Sequence, residues 1–454
     1  MLFTTKWLGA IFDNVNEHAS DSIYINEVTT DSRKKTDKSL FIPIIGEKFD
    51  GHHYMEEAYN QGAVAAIWDK RKAVPDFLPD DFPLFYVNDT LAAMQQLAQS
   101  YRESVAPTVI GVTGSNGKTT TKDLIAAVLS PSIKTHYTKG NLNNHIGVPL
   151  TILSMPSDTK VLVVEMGMNH PGEIESLSKL AKPDYAVITN IGESHIENLG
   201  SREGIAEAKL EIAQGMNNDG HLLIDGDEIL LRQCRHQKHV ITCGFEYTND
   251  VHIKNVKLFQ DSTQFQLATG EEYKLPLLGS HHALNAAFAV TIAKRLGIEI
   301  TKIKQALTEL ELTSMRFEMI DGKNGASIIN DAYNASPTSM KASVDVVKTL
   351  DGFKQKVLVL GDMFELGDQS KSLHQTVAES IDDSVDAVFT IGEDSREITS
   401  RVKTQHQSID CRHFTSREEL SAALKDYINE GTLILFKASR GMKLETFVNE
   451  ASAN

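Results

Sequence analysis

The chain has 454 residues, three cysteines, and 45 basic against 61 acidic side chains, so its formal net charge is −16. At roughly 150 residues per domain this length predicts about three domains, and the ordinary fractions of hydrophobic (41%) and charged (23%) residues exclude a disordered, collagen-like or disulfide-stapled chain. The acidic excess argues against a nucleic-acid partner, which requires a cationic surface. Phosphorylated small molecules remain possible ligands, since a few backbone amides and one lysine can bind a phosphate group.

The cysteine pattern and the N-terminus bear on where the protein works. Cys234, Cys243 and Cys411 form no CxxC pair, and an odd, sparse set is typical of a reduced protein. The apolar stretch at the N-terminus is interrupted by Lys6 and closed by Asp13, unlike a signal peptide. No run approaches the ~18 apolar residues that a membrane span requires. We therefore expect a cytoplasmic protein without a membrane span.

The segment up to about residue 88 mixes short strands with helices. Residues 39–44 and 62–68 predict buried strands, and residues 75–87, with three prolines, predict a loop that ends in a strand. A helix is predicted over about residues 90–103, because apolar side chains recur there on one face.

From residue 108 onward, apolar strands alternate with helices. Strands that are apolar throughout are buried on both faces, as in a parallel sheet. Residues 250–276 alternate apolar and polar side chains instead and predict antiparallel hairpins, which two helices follow at 282–296 and 300–310. The last ~140 residues predict a second doubly wound unit, so the fold class is α/β. The predicted strands are residues 108–112, 160–166, 184–190, 221–225, 239–244, 326–331, 356–362, 386–392 and 432–439.

A glycine-rich turn follows the first of these apolar strands. Residues 109–121 are VIGVTGSNGKTTT, and glycines there allow backbone N–H groups to point at phosphates at the start of a helix. Lys118 would reach the β- and γ-phosphates, and the Thr119 hydroxyl would ligate Mg²⁺. Val112 replaces the first glycine of the usual pattern, so the alternative is a tight turn with an incidental lysine. The expected nucleotide contacts are Thr113, Gly114, Ser115, Asn116, Gly117, Lys118, Thr119 and Thr120.

The form TGSNGKTTT resembles the phosphate loop of the Mur ligase family, ATP-dependent enzymes that form amide bonds in peptidoglycan precursor synthesis. The resemblance implies ATP and two Mg²⁺ ions, with Glu165 and His195 binding the metals. The family's carbamylated lysine corresponds to Lys209, and carbamylation would replace a cation by a carboxylate that a dication accepts. Taken alone, such a histidine is more often structural and such a lysine a solvated surface charge.

Three further residues match the family's nucleotide contacts. The resemblance assigns these contacts to Asn285, Arg316 and Asp331, although Asn and Asp also commonly cap helices and loops. Family members usually have His-Asn where this chain has His281-His282, which leaves the role of His282 open. Because water would compete with the amine in such a ligase, the site should close before the reaction, and we expect the last domain to swing about residues 313–316.

Longer motifs narrow the implied activity within the family. Four segments resemble the member that joins D-alanyl-D-alanine to UDP-N-acetylmuramoyl-tripeptide: residues 138–153, 331–342, 361–370 and 437–445. They leave open whether the third residue of the tripeptide is lysine or diaminopimelate.

The resemblance implies domains at residues 1–88 (UDP-muramoyl-peptide binding), 89–314 (a phosphate-loop parallel sheet with an antiparallel addition) and 315–454 (a Rossmann-like α/β unit). We expect a monomer. The implied substrate contacts are Asp31, Ser32, Arg33, Asn141, Asn143, Asn144, His145, Asn334 and Ser336.

Other functions stay open at this point. The nearest alternatives are another amide ligase of the same architecture, such as the preceding Mur ligase or a folate polyglutamate synthetase. A nucleotide-dependent switch would leave the second α/β unit and the set Glu165, His195 and Lys209 unexplained. A kinase would release a phosphorylated product without an amine. For any one of the asparagines at residues 141–144, a turn held by its side chain is as good an explanation as a substrate contact.

Overall fold

The computed structural model describes residues 1–16, 22–310 and 317–453. In this part of the chain, sheets of four, nine and six strands follow one another along the sequence, and a two-stranded ribbon lies at the N-terminus. No helix within these ranges is long and apolar enough to cross a membrane. Arg316 and the hinge expected at residues 313–316 lie outside the described residues, and the domain boundaries stay predictions.

The N-terminal part of the chain forms a small parallel sheet. Its elements are β1 (Phe3–Thr4), α1 (Thr5–Gly9), β2 (Tyr24–Ile25), β3 (Glu27–Thr29), β4 (Ser39–Phe41), α2 (Met55–Asn60), β5 (Ala63–Asp69), β6 (Leu84–Val87) and α3 (Thr90–Val105). Strands β3 to β6 pair in that order. Helix α3 begins after Asp89, whose carboxylate accepts the backbone N–H groups of Leu91 and Ala92. The predicted strands and the predicted helix of this segment are confirmed to within a few residues.

The central sheet is parallel over most of its width. Its elements are β7 (Thr108–Thr113), α4 (Lys118–Leu129), β8 (Thr135–Tyr137), α5 (Gly147–Leu153), β9 (Val161–Glu165), α6 (Glu173–Ala181), β10 (Tyr185–Ile188), α7 (Ile196–Leu199), α8 (Arg202–Leu210), β11 (His221–Asp225), β12 (Val240–Gly244), β13 (Val251–Leu258), β14 (Thr263–Leu267), β15 (Glu272–Leu275), α9 (His281–Arg295) and α10 (Ile300–Thr308). The strand order is β15-β14-β13-β12-β11-β10-β7-β9-β8. Strands β13, β14 and β15 pair antiparallel, which confirms the hairpins predicted there.

The C-terminal sheet is a second, smaller α/β unit. Its elements are β16 (Glu318–Asp321), β17 (Ser327–Asp331), α11 (Pro337–Thr349), β18 (Gln355–Gly361), α12 (Ser370–Val377), β19 (Ala387–Ile391), α13 (Arg396–Gln405), β20 (Asp410–Phe414), α14 (Arg417–Leu424), β21 (Thr432–Lys437) and α15 (Glu445–Ala451). The order is β16-β17-β21-β18-β19-β20, with only the edge strand β16 antiparallel to its neighbour among these pairs. The predicted α/β fold class is confirmed.

The two larger sheets face each other through the carboxyl ends of their strands. Glu165 ends β9 in the central sheet, while Asp331 ends β17 and Lys437 ends β21 in the C-terminal sheet. All three side chains line one cleft. Ligands of open parallel sheets bind beyond the carboxyl ends of the strands, so the fold places a candidate site between the sheets.

Candidate active site

The phosphate loop joins the buried strand β7 to helix α4. Gly114 and Gly117 have φ angles of 150° and 76°, which residues with a Cβ rarely adopt. The ammonium group of Lys118 turns back over the loop and donates to the carbonyl oxygens of Gly114 (2.7 Å) and Ser115 (3.3 Å). The loop therefore forms a cradle at the helix N-terminus, where backbone N–H groups and the helix dipole favour an anion.

Two side chains after strand β10 hold this cradle in shape. Thr189 Oγ1 and Asn190 Nδ2 both donate to the carbonyl oxygen of Asn116, at 2.5 Å and 3.1 Å. Asn190 Oδ1 accepts the N–H of Asn116 (2.9 Å), and its backbone carbonyl accepts the N–H of Ser115 (3.1 Å). Thr189 and Asn190 are not among the predicted site residues, although they end the strand predicted at residues 184–190, where open parallel sheets bind ligands.

Replacing Gly114 tests how closely the phosphate loop packs against Thr189, directly after strand β10. A Cβ at Gly114 would lie 1.8 Å from Thr189 Oγ1, which is itself bonded to the loop. We expect Gly114→Ala to lower the free energy of unfolding by about 1–3 kcal/mol and to weaken ADP binding, measured by denaturant titration and by calorimetry. Gly270→Ala is the control, because Gly270 also has a positive φ (101°) but no atom within 4 Å of its Cβ position. Equal losses in both variants would contradict the steric argument.

A buried carboxylate lies beside the cradle. Glu165 is 2% exposed, and its two oxygens accept hydrogen bonds from Thr119 Oγ1 and Asn143 Nδ2, both at 2.8 Å. The Glu165 backbone N–H donates to Thr138 Oγ1 at 3.0 Å. The sequence-predicted pair Thr119 and Glu165 is therefore brought together, with Asn143 as a third member.

Lys209 is a buried lysine on helix α8. It is 2% exposed, and no ion pair joins it to an acidic side chain of the described residues. Burial, reinforced by the nearby Lys118 ammonium, holds the pKa of Lys209 well below its usual range. A lower pKa enlarges the fraction of the Lys209 side chain that is the neutral amine, which is the nucleophilic form.

Elements of the C-terminal sheet reach into the same cleft. Lys437 Nζ donates to Asp331 Oδ2 (2.6 Å), and Ser343 Oγ donates to the same oxygen (2.7 Å). Ser336 Oγ donates to Asn116 Oδ1 at 3.1 Å, which connects helix α11 directly to the phosphate loop. These contacts bring the second α/β unit to the nucleotide cradle.

Helix α9 covers the cradle from another side. The Asn285 side chain lies against the loop, since a Cβ at Gly117 would be 3.1 Å from Asn285 Oδ1. His282 is 7% exposed and lines the cleft one turn earlier, and its Nδ1 has no hydrogen-bond partner in the described residues. Burial holds the pKa of His282 well below its usual range, so the ring is neutral.

His195 connects the two sheets through a carboxylate. It immediately precedes helix α7, has a φ of 63° and lines the cleft. Its Nδ1 lies at ion-pair distance from Oε2 of Glu365, in the segment after strand β18, and the imidazole holds the pKa of that carboxyl below its usual range. Nearby, Glu193 accepts the N–H (3.2 Å) and the hydroxyl of Thr338.

Comparisons with known proteins bear on this arrangement. Three family models match the chain, described as "Mur ligase family, catalytic domain" over residues 24–102, "Mur ligase middle domain" over 112–293 and "Mur ligase, glutamate ligase domain" over 315–440. A Bacillus subtilis protein named UDP-N-acetylmuramoyl-tripeptide–D-alanyl-D-alanine ligase is 46% identical over 94% of this chain and 93% of its own length. The chain belongs to the Mur ligase family.

Solved structures of Mur ligases have the same fold. A MurF crystal structure from Acinetobacter baumannii superposes with a TM-score of 0.87 at 30% identity, covering 99% of this chain and 98% of that one. The MurF ligase from Thermotoga maritima in complex with ADP gives a TM-score of 0.80 at 29% identity, with 93% and 96% covered. The resemblance seen in the phosphate loop thus extends over the whole Mur ligase architecture.

Most of the predicted site residues of this Mur ligase line a single cleft of about 800 Å³. Thr113 and Gly114 are not among its lining residues, and Ser336 approaches it through Asn116. The lining residues that the sequence analysis named are Ser115, Asn116, Gly117, Lys118, Thr119, Thr120, Asn141, Asn143, Asn144, His145, Glu165, His195, Lys209, Asn285, Asp331 and Asn334.

The predicted uridine contacts lie apart from this cleft. Asp31 and Arg33 form an ion pair at 2.8 Å after strand β3, and the arginine holds the pKa of Asp31 at about 2. Ser32 Oγ donates to Glu57 at 2.5 Å. These three residues lie between strands β3 and β4 of the N-terminal sheet and do not line the cleft. Their role, like that of every predicted site residue, stays a prediction.

Proposed function

We propose that this Mur ligase joins D-alanyl-D-alanine to UDP-N-acetylmuramoyl-tripeptide with ATP, giving the pentapeptide precursor of peptidoglycan. The observation that carries the proposal is the shared cleft, in which the phosphate loop, the buried Glu165 and the buried Lys209 face Asp331 and Lys437 of the second α/β unit. A binding switch would need the cradle alone. A ligase needs a second unit to bring the acceptor amine to an activated carboxylate.

The substrate assignment follows the named relatives. The Bacillus subtilis relative and a 33% identical Escherichia coli relative, matched over 94% and 95% of this chain, both have D-alanyl-D-alanine and the tripeptide in their names. We propose the same pair of substrates here, without choosing between lysine and diaminopimelate as the third residue. We also propose a cytoplasmic monomer, in keeping with the three free cysteines.

The oxygen donors beside the cradle suit magnesium. The Glu165 carboxylate and the Thr119 hydroxyl are hard ligands 2.8 Å apart. The described residues contain no group of three or more His, Cys, Asp and Glu side chains placed to hold a metal. Mg²⁺ in nucleotide sites usually takes one or two carboxylates and completes its shell with phosphates and water. We propose two Mg²⁺ ions, for which Thr119, Glu165, His195 and a carbamylated Lys209 would together supply the protein ligands. Bound Mg²⁺ would neutralise charge on the transferred phosphoryl group.

Different side chains would act in the two steps of the reaction. Lys118 and the loop N–H groups bind the phosphates while the tripeptide carboxylate attacks the γ-phosphorus, so that ADP leaves and an acyl phosphate forms. The dipeptide amine then attacks the acyl carbon, loses a proton, and inorganic phosphate leaves. Asn285, Asp331 and Arg316 would orient the nucleotide. Closure of the C-terminal unit over the cleft would exclude water, which otherwise hydrolyses the acyl phosphate.

The remaining substrate contacts are proposed by position. Asn141, Asn143, Asn144 and His145 line the cleft next to Glu165 and would bind the muramoyl peptide. Asn334 and Ser336, before helix α11, would contact the dipeptide. Asp31, Ser32 and Arg33 would bind the uridine diphosphate end at the N-terminal sheet, because UDP is attached at the far end of a long substrate.

Phosphate release tests this function directly. With ATP, Mg²⁺ and UDP-N-acetylmuramoyl-tripeptide, we expect release that depends on D-alanyl-D-alanine, together with a pentapeptide product by mass spectrometry. Lysine-containing and diaminopimelate-containing tripeptides are run in parallel. Release that is indifferent to the dipeptide would indicate a kinase or a hydrolytic switch. Release with glutamate or another single amino acid, and none with the dipeptide, would indicate a different amide ligase.

A further inference from the structure

The N-terminus of helix α11 lies where the C-terminal unit meets the central unit. Ser336 caps this helix from within its own unit, because its hydroxyl accepts the N–H of Ser339 (3.3 Å) and the Ser339 hydroxyl accepts the N–H of Ser336 (2.9 Å). Pro337 occupies the first helical position and has no N–H to satisfy. The N–H of Thr338 comes next, and the first N–H groups of a helix need an acceptor from outside it.

A carboxylate of the central unit is that acceptor. Glu193, which follows strand β10, accepts the N–H of Thr338 with Oε2 (3.2 Å), and its two oxygens accept the Thr338 hydroxyl at 3.0 Å and 2.8 Å. Negative charge at a helix N-terminus is favourable, because it faces the positive end of the helix dipole. Glu193 therefore acts as a second cap for α11, supplied by the other unit.

The same stretch of chain also contacts the phosphate loop. Asn190 Oδ1 accepts the N–H of Asn116 (2.9 Å), and Asn116 Oδ1 accepts the hydroxyl of Ser336 (3.1 Å). Gly192 permits this close approach, since a Cβ there would lie 3.0 Å from Asn116 Nδ2. Residues 190–193 thus bind the phosphate loop at one end and helix α11 at the other.

We propose that Glu193 is a positioning residue, which holds the start of α11 against the phosphate loop and keeps the C-terminal unit docked while the acyl phosphate exists. The inference rests on the proposed function, because the acyl phosphate is the intermediate that docking would protect. Water that reaches it would attack the acyl carbon, release inorganic phosphate and return the tripeptide carboxylate. The turn before α11 carries Asn334 and Ser336, so the contact also sets where the dipeptide would bind relative to the phosphates.

The contact is of moderate strength. Thr338 is exposed and Glu193 is half-buried, so their bonds compete with bonds to water. The net contribution of one such hydrogen bond corresponds to about a 2–10-fold change in an equilibrium constant. This strength allows the unit to dock and to separate, as substrate entry and product release require. Loss of Glu193 should therefore weaken docking and leave nucleotide binding in place.

The fraction of turnovers that end in hydrolysis tests this role in the full-length enzyme. It is obtained from the phosphate released and the pentapeptide formed with ATP, UDP-N-acetylmuramoyl-tripeptide and D-alanyl-D-alanine. We expect this fraction to rise about 2–10-fold in Glu193→Ala and less in Glu193→Gln, which keeps an acceptor. Glu272→Ala is the control, since Glu272 is an exposed carboxylate of strand β15 outside the cleft. An unchanged hydrolysed fraction in Glu193→Ala would overturn the inference.

Amide hydrogen exchange measures docking without turnover. The N–H of Glu197 in the central unit donates to the backbone carbonyl of Glu365 in the C-terminal unit (3.1 Å), so its exchange rate reports how often the units separate. With a non-hydrolysable ATP analogue bound, this amide should exchange about 2–10-fold faster in Glu193→Ala. Thr338→Val, which removes the hydroxyl from the opposite unit, should change the rate in the same direction.

The Ser339 amide is the reference for the integrity of helix α11. Ser336 of the same unit holds it, so its exchange rate should stay at the wild-type value in both variants. An unchanged rate at Glu197 in Glu193→Ala would overturn the inference, and so would faster exchange at Ser339, which would indicate a destabilised helix. Wild-type protein without dipeptide-dependent phosphate release would refute the proposed function, while exchange at Glu197 would still decide whether Glu193 holds the docked unit.

Discussion

Lys118→Ala is expected to reduce dipeptide-dependent phosphate release by about 10²–10³-fold or more, the usual cost of removing one preorganised group that stabilises transition-state charge. The Lys118 ammonium lies over the loop and is held by the carbonyl oxygens of Gly114 and Ser115. In the proposed complex it would turn to the phosphates, where negative charge spreads over the transferred group. The loss should fall mainly on kcat, measured by coupled phosphate assay.

A lysine outside the cleft controls for the change of charge. Lys134 is 67% exposed at its side chain and pairs with Asp158 on the surface, so Lys134→Ala should keep wild-type turnover. ADP affinity is measured in both variants, because the loop N–H groups still bind phosphate without Lys118. Wild-type kcat in Lys118→Ala would remove the phosphate loop from the mechanism. A circular dichroism spectrum like that of the wild type would exclude misfolding as the cause of any loss.

The local parts of the fold were predictable because each is encoded in consecutive residues. Strand β9 is buried at every position, and its continuous apolar run predicted a central parallel strand. The phosphate loop was predictable for the same reason, since strand, glycines, lysine and helix start lie within a dozen residues. The alternation at residues 250–276 likewise predicted the antiparallel strands β13 to β15.

The contacts that complete the site could not be predicted in this way, because they join distant parts of the chain. Asn190 supports Asn116 from 74 residues away, and Ser336 reaches the same asparagine from 220 residues away. No spacing rule links such residues, so only the resemblance could place Glu165, His195 and Lys209 in one site. Apart from lying in the motif at residues 361–370, Glu365 had no feature that predicted a contact with His195. That contact follows from how the two α/β units dock.

Lys209 is the residue whose chemistry depends most on its surroundings. Its neutral amine can attack CO₂, forming an N–C bond and losing a proton, which leaves a carbamate with one negative charge. Burial favours this step because it lowers the pKa of the amine, and the nearby Lys118 ammonium favours the anionic product. We therefore propose that Lys209 acts as a carbamate, and ¹³C-labelled bicarbonate should give a carbamate signal in wild-type protein that Lys209→Ala lacks.

Chemical rescue tests whether the site needs a negative charge at the position of Lys209. Lys209→Ala is expected to lose activity by on the order of 10²–10³-fold, and formate or acetate should restore part of it, because a small carboxylate can occupy the space of the missing carbamate. Methylammonium should not restore activity. The matched control is Lys118→Ala, in which the absent group is a cation, so carboxylates should have no effect there. Rescue of Lys209→Ala by methylammonium instead of formate would show that Lys209 works as an amine, and the carbamate proposal would then be wrong.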